Sequence, residues 1–168
     1  RISNLKKYID LNNEFKKKDF LNKKLNFTDK IEEIKNCNFY IICVPTPITK
    51  LKKPDLKYVK KCFDIISNIL NKNDIIVLES TVYPGVTKSY ARKLQINNKL
   101  INNKDFFVCY SPERINPGDK ENKLSKINKI LAYEGKNKKI KKRIKEVYSK
   151  ICKNLIFTDK IEEAETAK

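Results

Sequence analysis

The alternation of short apolar runs with segments of helical period constrains the fold of this chain more than any other feature. Three nearly continuous apolar runs, at residues 39–45 (FYIICVP), 74–80 (DIIVLES) and 106–112 (FFVCYSP), have the length and composition of strands buried on both faces. Residues 54–70 instead repeat large apolar side chains every three or four positions. That period predicts an amphipathic helix, with the proline that opens it suited to a first turn.

The rest of the chain continues the same alternation. A second helix is predicted over residues 86–95, directly after a Pro-Gly pair, and a basic helix over residues 137–152. Residues 129–135 and 154–159 read as two more strands on either side of the basic helix. Strands and helices in alternation require crossover connections, so the sequence predicts an α/β fold: a mainly parallel sheet with helices on both faces.

The high positive charge is the next feature to interpret. A formal charge of +18 suggests nucleic acid or an anionic membrane as a partner. Only four of the 38 basic residues are arginines, however, and guanidinium groups are the better readers of phosphate and base edges. An A/T-rich coding bias toward Lys and Asn would give the same profile, so we expect no nucleic-acid partner.

The cysteines and the hydropathy indicate the compartment. Five cysteines show no CxxC spacing, and without histidine the chain has no pattern of a zinc site, so no metal is expected. Cys43 and Cys109 lie in apolar runs and are predicted to be buried thiols. No apolar segment approaches 18 residues and no signal peptide is visible, so we expect a cytoplasmic chain with reduced thiols and no membrane partner.

The segments that follow the first three strands carry the strongest functional signal. These exits, at residues 44–50, 79–85 and 110–119, hold five of the six prolines and two of the three glycines. Strand ends need turns, and turns attract such residues without binding anything. Three stiff polar loops on one rim of a parallel sheet nevertheless favour a small-molecule crevice, because ligands bind beyond the carboxyl ends of the strands.

These loops also carry a resemblance to a known family. VPTPITKLKKPDL (44–56), ESTVYPGVT (79–87) and YSPERINPGDKE (110–121) resemble successive signatures of the UDP-glucose/GDP-mannose dehydrogenase family. They are most similar to the branch that oxidises UDP-N-acetylgalactosamine or UDP-N-acetylglucosamine at C6 for capsule and O-antigen synthesis. The resemblance extends from about Phe27 to Lys168 and implies a Rossmann-like fold, NAD as cofactor, a UDP-sugar substrate and a homodimer.

The resemblance also implies a reaction and a division into domains. The family oxidises an alcohol to an acid in two hydride transfers, through an aldehyde captured by a catalytic cysteine. The glycine-rich turn GxGxxG is expected before Arg1 and the segment of the catalytic cysteine after Lys168, so none of the five cysteines is assigned that role. Residues 1–159 are expected to form a partial NAD-binding domain, and residues 160–168 the start of a long helix of a central dimerisation domain.

Site residues follow from the family motifs, position by position. The resemblance implies cofactor-binding roles for Pro45, Thr46, Pro47, Ser80, Thr81 and Glu113. It implies substrate-binding roles for Glu113, Arg114, Ile115 and Asn116. It implies catalytic roles for Thr81, Glu113 and Lys168.

The chemistry suits these assignments. A carboxylate at Glu113 can accept a proton from a water during thioester hydrolysis, although a structural pairing with Arg114 is an alternative. The chain departs here from the UDP-glucose branch, which has an apolar pair followed by a second glutamate; Arg114 and Pro117 replace that chemistry. The ammonium of Lys168 would stabilise negative charge on the sugar oxygen.

Two other interpretations stay open at the level of sequence. One is another NAD-dependent dehydrogenase, of the hydroxyacid or 6-phosphogluconate type, which shares the parallel sheet. The other is a basic nucleic-acid-binding module. The enzyme interpretation requires that Thr46, Thr81 and Glu113 gather along one rim of the sheet.

Overall fold

The computed structural model describes residues 1–13, 15–21, 25–112 and 128–167. These residues form two compact units, Arg1–Asn36 and Cys37–Lys168. The first unit contains the helices α1 (Ile2–Lys6) and α2 (Lys17–Leu21) and a 3-10 turn at Ile31–Glu33.

A cluster of aromatic rings gives the first unit its core. Phe20 is buried, and its ring centroid lies 6.2 Å from that of Tyr8, 6.1 Å from that of Phe15 and 6.0 Å from that of Phe27. The contacts with Phe15 and Phe27 are edge-on, a geometry that the ring quadrupoles favour.

The second unit is built on a sheet of five strands, in spatial order β1 to β5, among the described residues. β1, β2 and β3 run parallel, β4 is antiparallel to β3, and β5 is parallel to β4. All five predicted strands are confirmed, and the sheet is mainly parallel as expected. The strands are β1 (Phe39–Ile42), β2 (Ile75–Leu78), β3 (Phe107–Tyr110), β4 (Asn128–Ala132) and β5 (Asn154–Thr158).

Burial on both faces holds for two of the first three strands. Every residue of β2 and β3 is buried, including Cys109, and burial raises the pKa of its thiol. The prediction was wrong for β1, where Ile41 is exposed, and for Cys43, which is exposed as well. β1 lies at one edge of the five described strands, and its buried side chains, Tyr40 and Ile42, alternate with less buried ones.

In the described part of the chain, four helices accompany the sheet: α3 (Lys57–Ser67), α4 (Val86–Asn98), α5 (Lys138–Tyr148) and α6 (Ile161–Thr166). The first of them begins three residues later than predicted. Pro54 forms an isolated antiparallel bridge with Ile48, and the N–H of Asp55 donates to the carbonyl of Pro47 at 2.7 Å. Pro54 therefore closes a loop, and the Asp55 carboxylate accepts the N–H of Lys57 at the start of α3.

The two faces of the sheet pack in two separate hydrophobic clusters. On one face, Ile76, Leu78 and Val108 join side chains of α3, α4 and α6. On the other face, Val77 and Phe107 join side chains of α5. Because successive side chains of a strand point to opposite faces, β2 and β3 each contribute to both clusters, and the prediction of helices on both faces is confirmed.

A buried carboxylate links α6 to the start of α4. Gly85 precedes α4 with a φ of 90°, and no side chain of its own caps the helix. Glu165, only 4% exposed, accepts the N–H of Gly85 at 2.6 Å and the N–H and hydroxyl of Thr87 at 2.9 and 2.6 Å. One side chain thus satisfies amides that a helix start leaves unpaired, and its negative charge faces the positive end of the helix dipole.

Replacing Glu165 with Ala should lower the free energy of unfolding by about 2–3 kcal/mol, since it leaves buried donors unpaired. Urea denaturation of the chain measures this. The matched control is Glu162→Ala on the same helix, whose ion pair with Lys88 is partly exposed and should contribute less than about 1 kcal/mol. Equal losses in the two variants would contradict the capping role.

Candidate functional site

The carboxyl ends of β1, β2 and β3 lie on one rim because the three strands are parallel. Thr46 of the first exit and Thr81 of the second line the same groove, of about 400 Å³, with Ile48, Pro54, Val82 and Tyr83. The expectation that Thr46 and Thr81 lie together is confirmed. The groove offers hydroxyl groups between apolar walls, as small-molecule sites usually do.

The first exit is held by its own backbone. The N–H of Thr49 donates to the carbonyl of Lys53 at 2.8 Å, and that of Lys52 to the carbonyl of Thr49 at 2.9 Å. Lys52 adopts a φ of 56°, which the tight turn requires. Pro45 and Pro47 are exposed on either side of the half-buried Thr46. The loop is therefore ordered by hydrogen bonds as well as by its prolines.

Ser80 ties the first two exits together. It is 6% exposed, and its hydroxyl accepts the N–H of Val44 at 2.8 Å. The carbonyl of Ile42, at the end of β1, also accepts the N–H of Glu79 at 2.9 Å. The Ser80 hydroxyl is thus engaged inside the protein, and a direct contact with a cofactor stays a prediction.

The third exit begins as a buried, bonded segment. Ser111 and Pro112 are buried. The N–H of Ser111 donates to the backbone carbonyl of Leu78 at 3.0 Å, and its hydroxyl donates to the backbone carbonyl of Ile130 at 2.7 Å. The remaining predicted site residues lie outside the described part of the chain. They are Glu113, Arg114, Ile115, Asn116 and Lys168.

A buried polar cluster lies directly behind the second and third exits. The Lys129 ammonium, 1% exposed, donates to Glu79 Oε2 at 3.0 Å and to the Pro112 carbonyl at 3.3 Å. The Tyr148 hydroxyl donates to Glu79 Oε1 at 2.5 Å. Burial, and then the Glu79 charge, raise the pKa of Tyr148, which therefore stays protonated.

Sequence reasoning missed this cluster and the capping role of Glu165. Glu79 is the first residue of the ESTVYPGVT motif (79–87). No sequence pattern shows that it bonds Lys129 and Tyr148, which lie 50 and 69 positions further along the chain. The available signal was weak: Lys129 directly precedes the apolar run of β4, and a lysine is seldom withdrawn from solvent unless it is paired.

The described residues fit one end of NAD. A nicotinamide and its ribose need an apolar wall and hydroxyl partners, and the groove at Thr46 and Thr81 supplies both. The amino-terminus of α4, a potential pyrophosphate site, already gives the N–H groups of Gly85 and Thr87 to Glu165. The described residues contain no cluster of three or more potential metal ligands.

Comparison with protein families decides the identity of this fold. Residues 8–152 match the NAD-binding domain of the UDP-glucose/GDP-mannose dehydrogenase family. The chain belongs to that family. The resemblance drawn from the three loop motifs is confirmed, and NAD is the cofactor of the matching domain.

Curated relatives of this family member are sugar dehydrogenases. The UDP-N-acetyl-D-glucosamine 6-dehydrogenase of Salmonella typhi is 43% identical over 171 residues, which cover 100% of this chain and 40% of the relative. The enzyme of the same name from Pseudomonas aeruginosa is 42% identical over 76% of this chain and 30% of its own length. The chain therefore spans about two fifths of the length of the first relative and a smaller share of the second.

A solved structure confirms the Rossmann-like fold. The UDP-D-ManNAc dehydrogenase of Pyrococcus horikoshii superposes with a TM-score of 0.75 at 30% identity, over 84% of this chain and 33% of that one.

In the described residues, no helix has the length and apolar character that crossing a membrane requires.

Replacing Ser80 with Ala should lower the free energy of unfolding by about 1–3 kcal/mol, because the N–H of Val44 loses its acceptor in a buried site. Chemical denaturation measures the change. Ser149→Ala is the control, since that residue is exposed and its hydroxyl donates to the Glu146 carbonyl three residues away. A Ser80 variant as stable as the control would show that the tie between the exits is weak.

Proposed function

We propose that this chain is part of an NAD-dependent nucleotide-sugar 6-dehydrogenase that oxidises C6 of a UDP-N-acetylhexosamine to the uronic acid. The complete reaction consumes two NAD and serves the synthesis of capsule or O-antigen polysaccharide. The single observation that carries the proposal is the groove shared by Thr46 and Thr81 at the rim of a sheet of this family. The names of the relatives support the substrate class.

The proposed roles follow the motifs of the family. NAD, when bound, accepts the hydride from the sugar carbon. Thr46, with Pro45 and Pro47, lines the cofactor side of the groove; Thr81 holds a water or a sugar oxygen near the nicotinamide, and Ser80 keeps its loop in place. The residues outside the described part complete the set: Glu113 as the base, Arg114, Ile115 and Asn116 along the substrate, and Lys168 as the charge stabiliser.

The proposal extends to organisation and location. Residues 1–159 belong to the NAD-binding domain and 160–168 open a helix of a dimerisation domain, so the complete enzyme is a homodimer. We place it in the cytoplasm, in keeping with five free thiols. No nucleic-acid partner is proposed, because the charge resides mainly in lysines.

A chimera tests the function, with this chain in place of the matching segment of the Salmonella typhi relative. With UDP-N-acetylglucosamine and NAD, it should form two NADH per sugar, measured by absorbance and by chromatography of the uronic acid. UDP-glucose and 6-phosphogluconate serve as competing substrates. A soluble, folded chimera that reduces NAD with neither UDP-sugar would refute the proposal.

In the same chimera, Glu113→Gln should lower kcat by about 10²–10⁴-fold, because an amide cannot accept a proton from the attacking water. The first NADH should still form in a single turnover, since hydride transfer precedes hydrolysis. Glu146→Gln on the exposed face of α5 is the control. An unchanged steady-state rate in Glu113→Gln would exclude the role as base.

A further inference from the structure

The charged cluster behind the rim is not needed to line the groove. Lys129 lies in β4 and is 1% exposed, while Glu79 at the end of β2 is 12% exposed. Neither residue lines the groove that contains Thr46 and Thr81. A lysine is rarely withdrawn from water to this degree unless its charge is paired.

Stability alone does not explain such a pair. The loss of hydration of two buried charges offsets much of their attraction, and apolar side chains of similar volume are often as stable or more so. What an apolar replacement cannot reproduce is direction, because hydrogen bonds fix the atoms that they join in distance and angle. The geometry of the cluster is therefore the property to explain.

The cluster joins the two exits that carry the proposed chemistry. Glu79 directly precedes Ser80 and Thr81, and the Pro112 carbonyl belongs to the residue before Glu113. Lys129 bonds both, at 3.0 Å to the carboxylate and 3.3 Å to the carbonyl. Tyr148 of α5 occupies the second carboxylate oxygen at 2.5 Å, so Glu79 is held from two sides.

The pairing of the strands does not supply this restraint by itself. Within the described residues, β3 and β4 share a single registered pair, Tyr110 with Ala132, so few described backbone bonds fix one strand against the other. The Ser111 hydroxyl and the Lys129 ammonium add side-chain bonds across the same junction. The positions of Ser111 and Pro112 thus depend on contacts with β4.

We propose that Lys129, Glu79 and Tyr148 are positioning residues that hold Thr81, in the second exit, and Pro112, at the start of the third, at the fixed separation that the proposed reaction requires. This inference rests on the proposed function. Their contribution is geometric, and they do not touch the reacting atoms.

The decisive experiment separates stability from positioning in the chimera described above. Lys129→Met leaves Glu79 without its cation and should lower both the unfolding midpoint and kcat/KM. The triple variant Glu79→Leu, Lys129→Met, Tyr148→Phe removes every polar group of the cluster and should recover the midpoint. Its kcat/KM should stay about 10-fold or more below that of the parent, because small misplacements of reacting groups are costly.

An exposed lysine provides the control. Lys60→Met removes a lysine from an exposed pair with Asp64 and should leave activity unchanged. If the triple variant regains both stability and kcat/KM, the cluster serves only the fold and the proposal fails.

A second measurement on the 168-residue chain does not depend on activity. Tyr148→Phe removes one hydrogen bond without leaving a buried charge unpaired, so it should fold. Amide hydrogen exchange followed by NMR should show protection at Val44, Glu79 and Ser111 reduced about 10-fold, with strand-centre amides such as Val77 unchanged. Equal protection at the rim in variant and parent would overturn the proposal.

The activity of the chimera and hydrogen exchange in the chain test the proposed function and the positioning role separately. A parent chimera without UDP-sugar oxidation refutes the proposed function. Hydrogen exchange in the chain then still decides whether the cluster fixes the exits, and unchanged protection there refutes the inference alone.

Discussion

The parallel pairing of β1, β2 and β3 is the constraint on which the rest of the second unit depends. It brings three chain segments, far apart in sequence, to one rim of the sheet. Parallel strands need helical crossovers, and the two crossovers between these strands, α3 and α4, cover one face of β2 and β3, while α5 covers the other. The groove at Thr46 and Thr81 exists because two consecutive crossovers begin side by side.

Strand pairing brings the exits close, but side chains fix their positions. Ser80 bonds the first exit, and the pair of Glu79 with Lys129 bonds the third. Glu165 then bonds the start of α4, so that α6 is attached to the same loop system. These contacts are buried, so solvent screens them little compared with the surface ion pairs.

The charge of the chain divides into two populations with different consequences. Most lysines are exposed, and pairs such as Lys60 with Asp64 contribute little to folding. Lys129 is withdrawn from water and determines local geometry. The net charge of +18 therefore does not describe the site, whereas the buried ammonium of Lys129 fixes the positions of the groups that it bonds.

The sequence by itself determined the order of strands and helices, the parallel character of the sheet and the family, because local periodicity and contiguous loop motifs are written along the chain. It misjudged the exposure of Ile41 and Cys43 and the start of α3, which depend on which strand forms the edge and on how the loop before the helix folds back. Only the tertiary structure decided that Ser80 faces Val44, that Lys129 and Tyr148 share Glu79, and that Glu165 caps α4. Each of these contacts joins residues 36 to 80 positions apart, and such pairs are selected by the packing of the whole sheet rather than by any local pattern.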